Sequence, residues 1–202
     1  MMKAASAIQT IGEANDRVVN NGTIIGSIAL GAGDDRIENY GNIEGDVFLG
    51  EGDDTFLQRA AALLSGTVDG GAGTDGLIID ATGGGTVNSD QFVNFESFTQ
   101  IGQGDVVYSG DFAFDTIGLS GGTISVGAGE TLSSAGAVTI TGGDGGETVD
   151  NRGTIAGGVM MGGGDDRVDN RGVIEGDVEL GSGNDVFVDY SGSNAVTAAS
   201  AT

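Results

Sequence analysis

The chain contains no cysteine, histidine, tryptophan or proline. Without cysteine and histidine there is no disulfide, no thiolate nucleophile, no imidazole base and no Cys/His zinc site. Missing cysteines leave the compartment open, but a secreted chain without disulfides must be held together by other means. Basic residues are scarce: 7 Lys and Arg stand against 30 Asp and Glu, a formal charge of −23. That balance argues against nucleic acid and anionic membranes as partners, because both need basic patches. It points to cations, or to a strongly solvated surface. Long apolar runs are missing too. None approaches the roughly 18 residues that a membrane-spanning helix requires, so no membrane insertion is expected. The opening MMKAASAIQT lacks the apolar region of a signal peptide, and the start reads as a fragment of something longer.

Glycine is what the chain has most of, 41 of 202 residues, and 38% of residues are hydrophobic. High glycine with high net charge is compatible with disorder. Here the glycines recur at fixed spacing, which favours order. The acid ending each glycine loop falls at Asp16, Asp35, Asp54 and Asp75, and again at Glu147, Asp166 and Asp185. The intervals are 19, 19 and 21, then 19 and 19. Other columns keep step. Val18, Ile37, Phe56, Val149, Val168 and Phe187 stand two residues after the acid, and Asn20, Asn39, Gln58, Asn151, Asn170 and Asp189 stand four after. Ile24, Ile43, Ile155 and Ile174 follow at eight.

Within each unit apolar and polar residues alternate, the period of a strand, and glycine pairs mark tight turns. One unit has too few apolar side chains to fold alone, whereas stacked units bury them in a continuous column. Nineteen residues is too short for a helix pair and suits one turn of a parallel β-coil. The fold expected is therefore all-β, a right-handed parallel β-helix (β-solenoid) with about 19 residues per turn. The Asn column has two readings: stacked amides bonding along the axis, or residues that favour turn conformations.

The repeat divides the chain into a lead-in segment (1–11), a first repeat block (12–81), an irregular aromatic-rich stretch (82–141), a second block (142–190) and a tail (191–202). The irregular stretch holds Phe92, Phe95, Phe98, Phe112 and Phe114. It reads as further solenoid turns filled with aromatic core, with a separate domain as the alternative.

Stacked acids about 4.8 Å apart repel by about 1 kcal/mol in water and about 3.5 kcal/mol at an effective dielectric near 20. Either the side chains splay into solvent or something neutralises them. GGAGTDGLI at 70–78 fits the pattern G-G-x-G-x-D-x-U-x at every fixed position. LGAGDDRIE, LGEGDDTFL, MGGGDDRVD and LGSGNDVFV fit it except at the first glycine, and GGDGGETVD carries Glu147 in the acid position. In these loops the chain resembles the RTX calcium-binding β-roll. The resemblance implies Ca²⁺ between successive loops, with Asp35, Asp54, Asp75, Asp166 and Asp185 as ligands and Asp34, Asp53, Asp165 and Asn184 assisting. Only half of each turn follows the nonapeptide, which limits the ions to one edge. Ala14 replaces a loop glycine and weakens the gap between Asp16 and Asp35. The competing reading is a row of solvated turn aspartates that bind nothing tightly.

NGTIIG, NIEGDVFLGEGDD, GTVDGGAGTD, FVNFESF and GGTISVGAGETL together look like the passenger regions of bacterial autotransporters and related large surface adhesins. That resemblance implies export and display outside the cell. The translocator barrel of such proteins is not in this chain. The role expected is non-catalytic, structural or adhesive, at the bacterial cell surface or outside the cell. Partners would be Ca²⁺, a cell-surface glycan or protein, or further copies stacked head to tail as a filament or surface-layer subunit. The enzymatic alternative is a polysaccharide lyase or glycosidase. Its candidate groups are Arg17, Arg36 and Arg167, which recur with the repeat as an active site would not, and Asp90, Glu96, Asp105 and Asp111, which lack a catalytic spacing.

Overall fold

The computed structural model describes residues 6–190 and 199–200. The tail assigned to 191–202 thus lies outside the described residues except for a two-residue strand, Ala199–Ser200, as does the start of the lead-in segment. Among the described residues there is no α-helix, only short strands and one 3₁₀ turn at Ser89–Gln91. The chain forms two compact units. The first comprises residues up to Asp80 with Asp90–Phe98, and the second Ala81–Ser89 with Thr99 onward. Each is a parallel β-solenoid with turns of about 19 residues.

In the first unit the turns stack as three parallel sheets, with a strand on all three sides in the first two full turns and on two sides after that. The strand after the acid is Arg17–Asn20, then Arg36–Asn39, Thr55–Arg59 and Gly76–Asp80 in successive turns. Its register steps Arg17 to Arg36 to Thr55 to Gly76, so the last step absorbs the two-residue insertion without a slip. Thr23–Ile25 pairs with Asn42–Glu44 on the second side. Ser27–Ala32, Val47–Glu51 and Val68–Ala72 stack on the third.

Register is held by the core. Ile37, Phe56 and Leu77 occupy one column, and Ile28, Val47 and Val68 another, all with at most 1% of their surface exposed. A slip of one residue would turn each of these columns outward, at roughly 1.5–3 kcal/mol per side chain.

The second unit stacks Gly85–Asn88, Asp105–Ser109, Gly122–Val126, Glu147–Asn151, Arg167–Asn170 and Val186–Asp189 in one parallel sheet. Thr116–Ser120, Thr131–Gly142, Thr154–Met160 and Val178–Gly181 form another. Strand pairing thus persists where the sequence repeat lapses, with turns of uneven length. Val106 pairs with Ile124, and Ile124 with Val149. The aromatics of the irregular stretch are buried, Phe98 to 1% and Phe112 to 2% exposure. Phe56, Phe92 and Phe95 pack in series in the first unit, and Tyr108, Phe112 and Phe114 in the second.

The Asn column does both jobs that the sequence allowed. Asn20 Nδ2 donates to Asn39 Oδ1, and Asn39 Nδ2 to Gln58 Oε1, each at 2.8 Å. Asn151 and Asn170 continue the pattern, ending on Asp189. Meanwhile the Oδ1 of Asn20, Asn151 and Asn170 accepts the N–H two residues on, closing a turn. The loop glycines have a steric origin. Gly50 has φ of +127°, and a Cβ there would overlap the carbonyl oxygen of Gly31 one turn earlier.

Candidate functional site

The acid that ends the glycine loop is buried in the inner turns of each block and half-buried at Asp16 in the first. Asp35, Asp54, Asp166 and Glu147 are 2% exposed and Asp75 is 1% exposed, while Asp185 in the last full turn is half-buried. All occupy the same place in their turns, where the loop closes and the next strand begins, so successive acids lie one above another.

Each reaches back one turn. Asp35 Oδ1 accepts the backbone N–H of Asp16 at 2.8 Å, and Asp54 Oδ1 that of Asp35 at 2.6 Å. Asp75 Oδ1 accepts from Asp54 at 2.8 Å, Asp166 Oδ1 from Glu147 at 2.8 Å and Asp185 Oδ1 from Asp166 at 3.0 Å. These N–H groups sit where the loop leaves the sheet ladder and would otherwise be unsatisfied.

The neighbouring column is exposed and points the other way along the stack. Asp34 Oδ1 accepts the N–H of Asp53 at 3.0 Å, Asp53 Oδ1 that of Thr74 at 2.8 Å, and Asp165 Oδ1 that of Asn184 at 2.9 Å. Asn15 Oδ1 does the same for Asp34. The gaps 16/35, 35/54, 54/75 and 166/185 are thus closed twice, once by an inner acid reaching back and once by an outer residue reaching forward, whereas 147/166 has the inner contact alone because Gly146 stands in the outer place.

The two columns differ in electrostatics. Asp165 is held below the usual carboxylate range by the backbone N–H and side-chain amide of Asn184. The inner acids are pushed up: Asp35, Asp75, Asp166 and Glu147 by burial first, Asp54 to about 6 for the same reason, with the charges of Asp75 and Asp35 adding to it. Glu147 is raised further by its hydrogen bond with Asp166. In Asp35, Asp54, Asp75 and Asp166 the second oxygen, Oδ2, is fully buried and has no hydrogen-bond partner. Asp75 Oδ2 lies beside Gly70 at the inner side of its loop.

At the general strand spacing of about 4.8 Å, an ion midway between stacked carboxylate oxygens would lie about 2.4 Å from each, within the 2.3–2.6 Å range of Ca²⁺–oxygen bonds. A gap would then offer two charged ligands. Among the described residues no group of three or more acidic side chains comes together as a metal cluster, so a bound Ca²⁺ would take its remaining ligands from backbone carbonyls and water.

All eight predicted acids fall in these two columns: Asp35, Asp54, Asp75, Asp166 and Asp185 inside, Asp34, Asp53 and Asp165 outside. The structure adds Glu96. Its Oε2 accepts the N–H of Asp75 at 2.6 Å and extends the inner column of the first unit. The only signal in the sequence is its distance of 21 residues from Asp75, since FVNFESF has no glycine loop.

The arginines fall elsewhere, on the outward side of the strands that follow the acids. Arg17 and Arg36 converge on Glu38, at 2.9 and 2.8 Å, and hold its carboxyl below its ordinary value. Arg152 and Arg171 converge on Asp150, at 2.9 and 2.7 Å. Arg167 pairs with Asp169 at 2.7 Å. Of the other acids named as enzymatic candidates, Asp111 accepts the N–H of Thr131. Comparison of the chain with family models, curated proteins and solved structures returns no match.

Proposed function

We propose that this chain is a non-catalytic, structural or adhesive β-solenoid segment of an extracellular or bacterial cell-surface protein, braced by Ca²⁺ between its stacked inner acids. The observation that carries the reading is the contrast between the two columns. Both accept a backbone N–H across the gap. The outer column does so through neutral Asn15 as well as through Asp34, Asp53 and Asp165, and it carries no acid at Thr74, Gly146 and Asn184. The inner column is acidic at every turn of both repeat blocks, although it is the buried one. Were an acceptor enough, Asn would serve inside as it does at Asn15, without the cost of burying a charge. An all-acid inner column makes sense if the negative charge is used, and a cation held between turns uses it.

The likeness of the loops to RTX nonapeptides and of the longer phrases to surface-adhesin passengers supports the same reading. So does the uniform employment of the inner acids, each of which makes one repeated structural contact. Two carboxylates per gap suit the weak end of the calcium range, on the order of 10⁻⁴–10⁻³ M, which matches extracellular modules. Thermal denaturation in Ca²⁺, in Mg²⁺ and in chelator tests the proposal, paired with equilibrium dialysis for bound metal. Ca²⁺ raises the midpoint and Mg²⁺ does so much less. Equal midpoints in all three buffers, with no calcium retained, would sink it.

A further inference from the structure

We propose that a shallow pocket on the outer face of the second unit binds a small carboxylate-bearing sugar ring of the hexuronate type. The pocket, about 270 Å³, is floored by Val107, Ser125 and Asp150, which lie in register on three adjacent strands and all point outward. Three stacked strands span roughly 10 Å, the length of one pyranose ring with its substituents. The loop at Gly127 and Ala128 forms one wall, and Arg152 stands at the end.

The chemistry of the lining selects the ligand. Val107 is 47% exposed, an apolar patch facing the space rather than the core. Together with Ala128 it offers a surface for the C–H face of a ring. Ser125 supplies a hydroxyl that can donate or accept.

Arg152 supplies the charge. Its side chain is 60% exposed and commits one N–H to Asp150 Oδ2. The other oxygen of Asp150 is taken by Arg171 Nη1. Asp150 is therefore satisfied by two guanidinium groups, which leaves the trio one positive charge in excess on a chain of −23. The spare donors of Arg152 can take a carboxylate in the fork geometry that guanidinium prefers. Two further acids stand nearby: Asp169, in register beside Asp150 and paired with Arg167, and Glu130, whose stem lies beside Gly127 and whose charge opposes anion binding. The proposal deepens the adhesive part of the reading above and does not depend on calcium.

The test is an NMR titration of the full chain with glucuronate, glucose and acetate, run in chelator and again in Ca²⁺. Glucuronate shifts the amide signals of Val107, Ser125 and Arg152 with a Kd on the order of 1 mM, the range expected for a ligand of this size. Arg152→Ala weakens it about tenfold and Arg152→Lys less, because Lys keeps the charge and loses the fork. Glu130→Gln tightens it. Glucose or acetate alone binds several-fold more weakly. Arg152 is a surface side chain, and an unchanged far-UV spectrum confirms that the variants fold. Glucose binding as well as glucuronate, glucuronate affinity indifferent to Arg152→Ala, or no shift at these residues at tens of millimolar would each overturn the proposal. Loss of calcium stabilisation with glucuronate binding intact would overturn only the calcium reading.

Discussion

Asp54→Asn separates the two roles of the inner column. The Asn Oδ1 still accepts the N–H of Asp35, so the contact at 2.6 Å survives and only the charge goes. Burial raises the Asp54 carboxyl from 3.8 to about 6. A folded-state value above the unfolded one means the native state binds the proton more tightly. The associated stability is complete below pH 3.8 and is lost as pH rises through about 6. A shift of this size, at 1.36 kcal/mol per pH unit, amounts to about 3 kcal/mol of native-state stability missing at pH 7.5 in the absence of a cation. Asn mimics the protonated acid. In chelator at pH 7.5, Asp54→Asn is therefore expected to be more stable than the parent, by up to about 3 kcal/mol. For a chain of this size that is roughly 6–12 °C in midpoint. At pH 4 the two should nearly coincide.

Calcium offsets the difference and brings the parent level with the variant. Asp54 borders two gaps, with Asp35 on one side and Asp75 on the other. With Kd on the order of 1 mM per gap, 10 mM Ca²⁺ stabilises the parent by about 1.4 kcal/mol at each, about 3 kcal/mol in all. The variant forfeits both contributions. The assay is thermal and urea denaturation followed by far-UV circular dichroism, at pH 7.5 and pH 4, with chelator or with Ca²⁺. A variant less stable than the parent in chelator at pH 7.5 would refute the claim that the buried charge is a burden. A variant that gains as much from Ca²⁺ as the parent would refute the placing of the ion at Asp54.

The same logic extends to the whole inner column. In chelator the protein should grow more stable as pH falls from 7.5 toward 5, because Asp35, Asp75, Glu147 and Asp166 are raised along with Asp54; a midpoint that falls across this window would contradict it. At lower pH the lowered Glu38 works in the opposite direction, since the stability from its pairing with Arg36 and Arg17 is lost as it protonates. Asn39→Ala removes the acceptor for Asn20 and the donor to Gln58, both buried, and should cost about 2–4 kcal/mol by urea denaturation. Gly50→Ala forces a side chain onto the carbonyl of Gly31 at φ of +127° and should cost at least about 2 kcal/mol, with loss of hydrogen-exchange protection in the adjoining strands.

The fold was legible because the nineteen-residue interval recurs in columns that only stacking can bury, and because 21 replaces 19 once without disturbing the order. The register of Thr55 on Gly76 follows directly from aligning Asp54 with Asp75. The two acid columns were legible as positions in the repeat, but their geometry was not. LGAGDD presents two adjacent acids that look alike, yet Asp34 is exposed and reaches forward whereas Asp35 is buried and reaches back. Strand alternation dictates that difference. The inward set of the strand Arg36–Asn39 is Ile37 and Asn39, and Asp35 shares its parity, so its side chain turns toward the core while that of Asp34 turns away. The irregular turns were not legible in the same way. Once the glycine loop is absent, Glu96 has no local mark of its role, and only the position of its strand in the stack reveals that it takes the place of an inner aspartate. Where a turn keeps its loop, the period predicts each contact, and where it loses the loop, packing alone decides which acid is drawn inside.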